Sequence, residues 1–473
     1  MNLQILQETL NLLDGSLILS DHQMKIIDRN LLQQNIHRLA ELSALGKNPQ
    51  KGAAQYLIRK AALEFGAILS SINDFYLARG RGEIPFTFTV PAMNLRMLTF
   101  DTARAVFRVA NEMKAGAFIF EIARSEMGYT DQRPAEYTSS ILAAAISEGY
   151  IGPIFIQGDH FQISAKRYSV SPDTEVQAVK DLVIEAMSAG FYNIDIDTST
   201  LVDITKITIP EQQILNYGLS AMLSAYIRTN QPEGIQISIG GEIGEVGGHN
   251  STEGELRAYM DGYQKELSKN LTRFVGLSKI SIQTGTSHGG VVLPDGSIAK
   301  VNLDFGSLLK LSRIARAAYG MGGTVQHGAS TLPENAFGKF VESEAIEVHL
   351  ATNFQNIIFD RLPEGLRSVM YSYLDKNSAS ERKSDMTDEQ FYYKTRKNAI
   401  GPYKKDTWEL PEDKKAEITF ALEEQFRKLF VYLGIEGTRN IINEKITQLK
   451  IEPDLKYYLG DFTNEEEVTD LAD

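Results

Sequence analysis

From Pro85 to about Leu350 the chain alternates short apolar runs with helix-length segments, and no other feature limits its fold so tightly. The expected strands are Phe86–Val90, Ala117–Ile122, Pro153–Ile156, Tyr192–Ile196, Ile235–Ile239, Lys279–Ile282, Thr324–Gln326 and Ala345–Leu350. Between them lie segments with helical spacing, among them DTARAVFRVANEMK, TEVQAVKDLVIEAMSAG and FGSLLKLSRIARAAYG. Strands separated by helices pair in parallel, and eight such units over about 270 residues suit a closed barrel. A doubly wound open sheet is the competing layout. The expected fold class is α/β, a (β/α)8 TIM barrel with helical N-terminal and C-terminal extensions.

Residues 1–84 form the first extension. Leu3, Leu6, Leu10 and Leu13 recur at helical spacing, and IDRNLLQQNIHRLAELSALG repeats the habit before a glycine stop. Residues 85–430 are assigned to the barrel, and 431–473 to a helical segment with an acidic tail, NEEEVTDLAD. The extensions are read most simply as oligomer surfaces.

Composition enters chiefly by exclusion. The absence of cysteine removes disulfides, thiolate ligands and a cysteine nucleophile. A net charge of −13 argues against a nucleic-acid surface, while leaving room for a local basic pocket. No apolar run reaches the length of a membrane span. The opening MNLQILQETLNLLDGS meets acidic residues before any basic one, which suits a secretory signal poorly. The expectation is a soluble, cytoplasmic protein with no membrane partner.

The chemistry collects at histidines. Of seven, His22 and His37 fall in the first extension and read as ordinary surface or packing residues. His160, His249, His288, His327 and His349 each fall at or just beyond the end of an expected strand. In a barrel those ends converge on the face where active sites form. The contexts GDH, TGTSHGG and VQHGAS set His160, His288 and His327 beside glycines, which let backbone crowd a ligand. Three neutral imidazoles from three strands can hold a divalent cation and leave positions open. The plainer alternative is a set of strand-end histidines hydrogen-bonded locally. GPIFIQGDHFQ sharpens the choice, because an apolar strand that stops on Asp-His delivers groups that are costly to bury.

In order along the chain, GDH, GGEIGEVGG, GTSHG and HGAS resemble the class II, zinc-dependent fructose-bisphosphate and tagatose-bisphosphate aldolases. FYNIDIDTST, IEVHLATNFQN and YYKTRKNAIGPYKK continue the resemblance, which covers about residues 86–430. By position it makes His160, His288 and His327 the zinc ligands. Asp159 becomes the acid/base that handles the C4 oxygen proton, and Glu242 an acid near the metal. Asp197 takes a supporting or secondary-cation role. Gly289, Gly328, Ser330 and Thr352 fall where the family binds phosphate, and Arg396 where it binds the distal phosphate. The resemblance implies Zn2+, with Co2+ or Fe2+ as substitutes and a monovalent cation beside it. It also implies a phosphosugar substrate and a homodimer or larger homo-oligomer.

This sequence departs from the family in the substrate shell. His349 replaces an asparagine that holds the enediolate, Glu347 replaces a lysine, and Ala351 replaces a polar residue. His249-Asn250-Ser251 replaces an acidic loop, with Asn250 kept as a secondary site residue. The implied reaction is reversible cleavage of a ketose bisphosphate, such as fructose or tagatose 1,6-bisphosphate, into dihydroxyacetone phosphate and an aldehyde. The alternatives are a retro-aldol sugar epimerase, an aldolase for a related ketose, or a non-catalytic aldolase subunit.

Overall fold

The computed structural model describes residues 2–20, 23–244, 249–270, 275–285, 303–329 and 332–460. The first 84 residues are not wholly helical. Helices Asn2–Leu10, Arg29–Leu45, Gln50–Phe65 and Asn73–Gly80 alternate with an antiparallel strand pair, β1 (Leu17–Ser20) and β2 (Gln23–Ile26), and with β3 (Ala67–Leu69). In that pair Leu17 and Met24 are buried while Ile18 and Gln23 face outward. An alternation four residues long is easily lost between leucine-rich helices.

The barrel follows. Its strands are β4 (Val90–Asn94), β5 (Ile119–Ala123), β6 (Gly152–Gln162), β7 (Asn193–Asp197), β8 (Ser238–Glu242), β9 (Lys279–Ile282), β10 (Thr324–Gln326) and β11 (Glu347–Leu350). Each pairs in parallel with the next, and β11 returns to β4, which closes the cylinder. The closed eight-stranded parallel barrel is therefore as expected. Strand ends differ. β4 starts where the expected strand stopped, β8 extends to Glu242, and β6 continues through QGDHFQ to Gln162. All three overruns add glycines or polar residues. The cause is physical: the carboxyl ends of these strands carry polar side chains, so hydrophobicity fades before the strand does.

β6 serves three neighbours. Gly152–Ile154 pair with β3, Phe155–Asp159 with β5, and Gln157–Gln162 with β7. Through β3 the first extension joins the barrel sheet, and residues 67–80 then run beneath the amino ends of the strands. Asn193 at the start of β7 accepts the Ile72 N–H at 2.8 Å and donates to the Ser70 carbonyl at 3.3 Å. The Ser238 N–H at the start of β8 donates to Ser71 Oγ at 2.9 Å. Arg79, wholly buried, donates to the Phe88 carbonyl just ahead of β4 at 2.7 Å. Gly80 has no room for a side chain, since a Cβ would stand 2.5 Å from the Gly320 carbonyl oxygen. This segment is the barrel's floor.

At the other end of the chain, helix Glu412–Tyr432 packs on the barrel's flank. Phe426 lies 4.9 Å from Phe354 and Phe430 5.8 Å from Phe118, between ring centroids. It crosses the boundary drawn at residue 430, and helices Arg439–Lys445 and Leu455–Leu459 follow it. The acidic tail lies outside the described residues, as does His22. No helix among the described residues is long and apolar enough to cross a membrane.

Candidate active site

The site begins with a fault in β6. Successive residues of a regular strand point to opposite faces, yet Asp159 and His160 are both buried, 6% and 8% exposed, with 3.8 Å between Oδ1 and Nε2. The register against β7 slips between Gly158 and Phe161, and His160 adopts φ +40°. A bulge of this kind re-aims a side chain at a cost of order 1–3 kcal/mol. Gly158 permits it, because a Cβ there would meet the folded-back Phe161 ring at 2.3 Å.

From the bulge His160 reaches two partners. Nδ1 lies 3.0 Å from Asp197 Oδ2, and Nε2 lies 3.1 Å from Nδ1 of His327, just past β10. Asp197 is held in turn by the Ser199 N–H and hydroxyl at 3.0 and 2.7 Å and by Gln162 at 2.5 Å. On its other side His327 Nε2 lies 2.9 Å from Ser281 Oγ and 3.5 Å from Glu242 Oε2. The His349 ring, on β11, sits 4.1 Å from that of His327, and the His160 ring 4.4 Å from it. One ligand atom each from Asp159, His327 and His349 lie within 4.8 Å of one another.

Beneath the histidines the barrel interior is charged. Barrel interiors are normally filled with branched apolar side chains. Here Glu121, Gln157, Asp195, Lys279 and Glu347 are buried. Lys279 Nζ lies 2.5 Å from Glu347 Oε1, 2.6 Å from Gln157 Oε1 and 2.9 Å from Asp195 Oδ2. Glu347 also accepts from His349 Nε2 at 2.6 Å and from the hydroxyl of Tyr76, which rises from the floor segment. The first extension thus reaches the charged layer through a buried hydrogen bond.

The electrostatics follow from this crowding. Burial opposes charge on Asp197, but the bonds from His160, Gln162 and Ser199 prevail and draw its carboxyl down to about 2. Burial likewise disfavours a charged His160, yet Asp159 and Asp197 raise it to about 10. Asp159 is held well below the usual carboxylate range, with His160 and His349 outweighing its burial. Glu242 is pushed up to about 7 by burial and by Asp197. Glu121 is raised well above normal, chiefly by burial.

A divalent metal suits these donors. With Nδ1 of His160 turned to Asp197, Nε2 faces His327 and is the nitrogen placed to bind a metal, the arrangement by which a carboxylate orients a metal-binding imidazole. Two nitrogens bound tetrahedrally at 2.0–2.1 Å would stand about 3.3 Å apart, close to the 3.1 Å seen between His160 and His327. Asp159 Oδ1 and His349 Nδ1 are buried without a well-aligned hydrogen bond.

The other expected residues divide. His288, Gly289 and Ser330 lie outside the described residues. Gly328 follows His327 with φ +69°, and Thr352 opens the helix Thr352–Arg361 after β11, so both stand at the carboxyl ends of barrel strands. Arg396 is buried 4.5 Å from the Tyr393 ring and 5.1 Å from that of Phe359, donating to Asn356 Oδ1. Asn250 donates to Asp304 at 3.4 Å, and the neighbouring His249 is exposed, with its Nδ1 2.8 Å from the Asn250 carbonyl. Sequence reasoning missed Tyr76, Glu121, Gln157, Asp195 and Lys279. Charges inside FIFEIA, NIDID and KISI were the signal, since a buried parallel strand has little reason to carry them. Burial and Arg96 together lower the ammonium of Lys397 to about 8.

A closed parallel barrel, with carboxylate-backed imidazoles and an aspartate gathered at strand carboxyl ends, is the layout of a barrel enzyme able to hold a divalent metal. The chain belongs to the class-II fructose-bisphosphate aldolase family, whose model, "Fructose-bisphosphate aldolase class-II", matches residues 86–409. No curated protein matches the chain in sequence. Similar solved structures include the YdjI aldolase of Escherichia coli K12, at 12% identity and TM-score 0.46 over 79% of this chain and 100% of that one. Another is a fructose-bisphosphate aldolase from Campylobacter jejuni, at 16% identity and TM-score 0.46 over 78% and 97%. A third is the fructuronate-tagaturonate epimerase UxaE of Cohnella laeviribosi, at 14% identity and TM-score 0.49 over 74% and 82%.

Proposed function

We propose that this protein is a metal-dependent aldolase that reversibly cleaves a ketose phosphate, of the class of fructose or tagatose 1,6-bisphosphate. The observation that carries the reading is the bulge: it turns Asp159 and His160 together into the barrel, with a His327 nitrogen 3.1 Å from His160. His160 and His327, with His288 by resemblance and Glu242 beside them, would hold the ion. The ion, zinc or a substitute such as cobalt or iron, supplies a Lewis acid for negative charge developing on substrate oxygens.

The chain's own groups do the rest. Asp159, ionised and acceptor-only, takes the proton of the C4 hydroxyl as the C3–C4 bond breaks, and returns it in condensation. Asp197 holds the Nδ1 side of His160, so that Nε2 is the nitrogen that would face the ion once its proton is released. The floor segment and the charged layer exclude water from below. Gly328, Thr352, Arg396 and Lys397 are the described candidates for the substrate's anionic groups.

A second reading is a retro-aldol epimerase, which recombines the fragments on the opposite face. It is favoured by His349 Nδ1 standing 3.2 Å from Asp159 Oδ1, a second group able to carry a proton where the family has an amide. Carbon-13 NMR of ketose phosphates incubated with metal-loaded protein separates the two. Triose fragments support the aldolase and stereoisomers without fragments the epimerase. Asp159→Ala should keep its metal and lose either turnover, and full activity in that variant would remove the assignment.

A further inference from the structure

His349 is built like His160. Each imidazole has one nitrogen fixed by a buried carboxylate, Nδ1 on Asp197 at 3.0 Å for His160 and Nε2 on Glu347 at 2.6 Å for His349. Each presents the other nitrogen to the cluster around His327 and Asp159. Glu347 is rigid, because Lys279, Gln157 and Tyr76 also hold it. A carboxylate behind one nitrogen, itself fixed by further hydrogen bonds, is how metal-binding histidines are oriented.

The remaining nitrogen is telling. His349 Nδ1 approaches Asp159 Oδ1 at 3.2 Å and Glu121 Oε2 at 3.1 Å, yet with neither does it form an aligned hydrogen bond. A ring N–H donated to a carboxylate would line up. An imidazole nitrogen and two carboxylate oxygens that converge without lining up suit a shared divalent cation, which would take the place of the ring proton. His349 is 5% exposed, so bulk water has little access to this nitrogen.

We propose that His349 is itself a ligand of the site's metal, through Nδ1. The family resemblance puts an asparagine here, and an amide is a poor ligand for zinc beside imidazole. The exchange therefore gives the ion one more nitrogen, holds it more tightly, and leaves fewer positions for substrate oxygens. The inference rests on the metal-dependent reading but needs no substrate, so it survives or falls independently of the reaction.

The test compares wild type, His349→Ala and His349→Asn, with His249→Asn as the exposed control. Each is stripped with EDTA, reloaded with zinc and checked for native circular dichroism. Zinc affinity is read by competition with a chromophoric chelator, and imidazole ligands are counted by X-ray absorption at the zinc edge. Both His349 variants should bind zinc at least 10-fold more weakly, with one imidazole fewer, while His249→Asn matches wild type. Unchanged affinity and imidazole count in either folded His349 variant would overturn the proposal. So would a wild-type protein that holds zinc through two imidazoles or takes up none. Tight zinc binding with the predicted losses, but no turnover of any ketose phosphate, would leave His349 a ligand and remove only the proposed reaction.

Discussion

Replacing Lys279 by methionine tests whether charge holds the barrel interior together. The ammonium has three close acceptors, Glu347 at 2.5 Å, Gln157 at 2.6 Å and Asp195 at 2.9 Å, and is wholly buried. Methionine fills similar space but strands two carboxylates away from water. Breaking a buried pair from one side costs about 3–5 kcal/mol, because the surviving charge is uncompensated. The loss should depend on pH. Asp195 is pushed up to about 6, by burial first, even with Lys279 present. Glu347 is pulled to about 2 against its burial, chiefly by Lys279. Without the ammonium both carboxyls rise. A carboxyl whose folded pKa lies above its unfolded value supports stability at low pH and loses that support as pH climbs. The variant's deficit should therefore be small near pH 5 and full at pH 8. Urea unfolding followed by Trp408 fluorescence suits the measurement, because this single tryptophan is half-buried and stacked 6.1 Å from Phe100. A deficit under about 1 kcal/mol at pH 8, or one equal at both pH values, would refute the reasoning.

Other expectations follow from the same geometry. Tyr76→Phe deletes only the hydroxyl bonded to Glu347, and should destabilise the protein by about 1.5–3 kcal/mol, the usual worth of a bond to a charged group; no shift in the urea midpoint would uncouple the floor from the site. Asp197→Asn should weaken zinc binding about 10–100-fold, since His160 loses the carboxylate that orients it, and chelator competition would expose an unaltered constant. Zinc binding at pH 8 should release protons, because metal-free His160, raised to about 10, is protonated there and must give up the Nε2 proton. Calorimetry in buffers of different ionisation enthalpy reads that number, and zero release would contradict it.

Much of this architecture was legible in the residues. The eight β–α alternations pointed to a closed parallel barrel, and GDH singled out the two residues that the bulge in β6 brings together. The bulge that makes Asp159 and His160 neighbours was not visible, because nothing in GDHFQ announces that Phe161 will fold over Gly158. The strand end at Asn94 escaped notice, and Glu242 was flagged by the resemblance alone, since polarity at a barrel mouth imitates a loop. Lys279 and Glu347 stand far apart in the sequence, and only the closed sheet brings them together across sixty-eight positions. The floor was missed for another reason: helical spacing in residues 73–80 says nothing about which surface the helix meets. His249 marks the opposite error, a histidine beyond a strand end that faces solvent.

The central claim is that His160 and His327 share one ion at the carboxyl ends of the strands. Anomalous diffraction at the zinc edge, from crystals of metal-loaded protein, tests it most directly. A single strong peak is expected about 2.0–2.1 Å from His160 Nε2 and from a His327 ring nitrogen. A peak elsewhere, or none between those two rings, would contradict it.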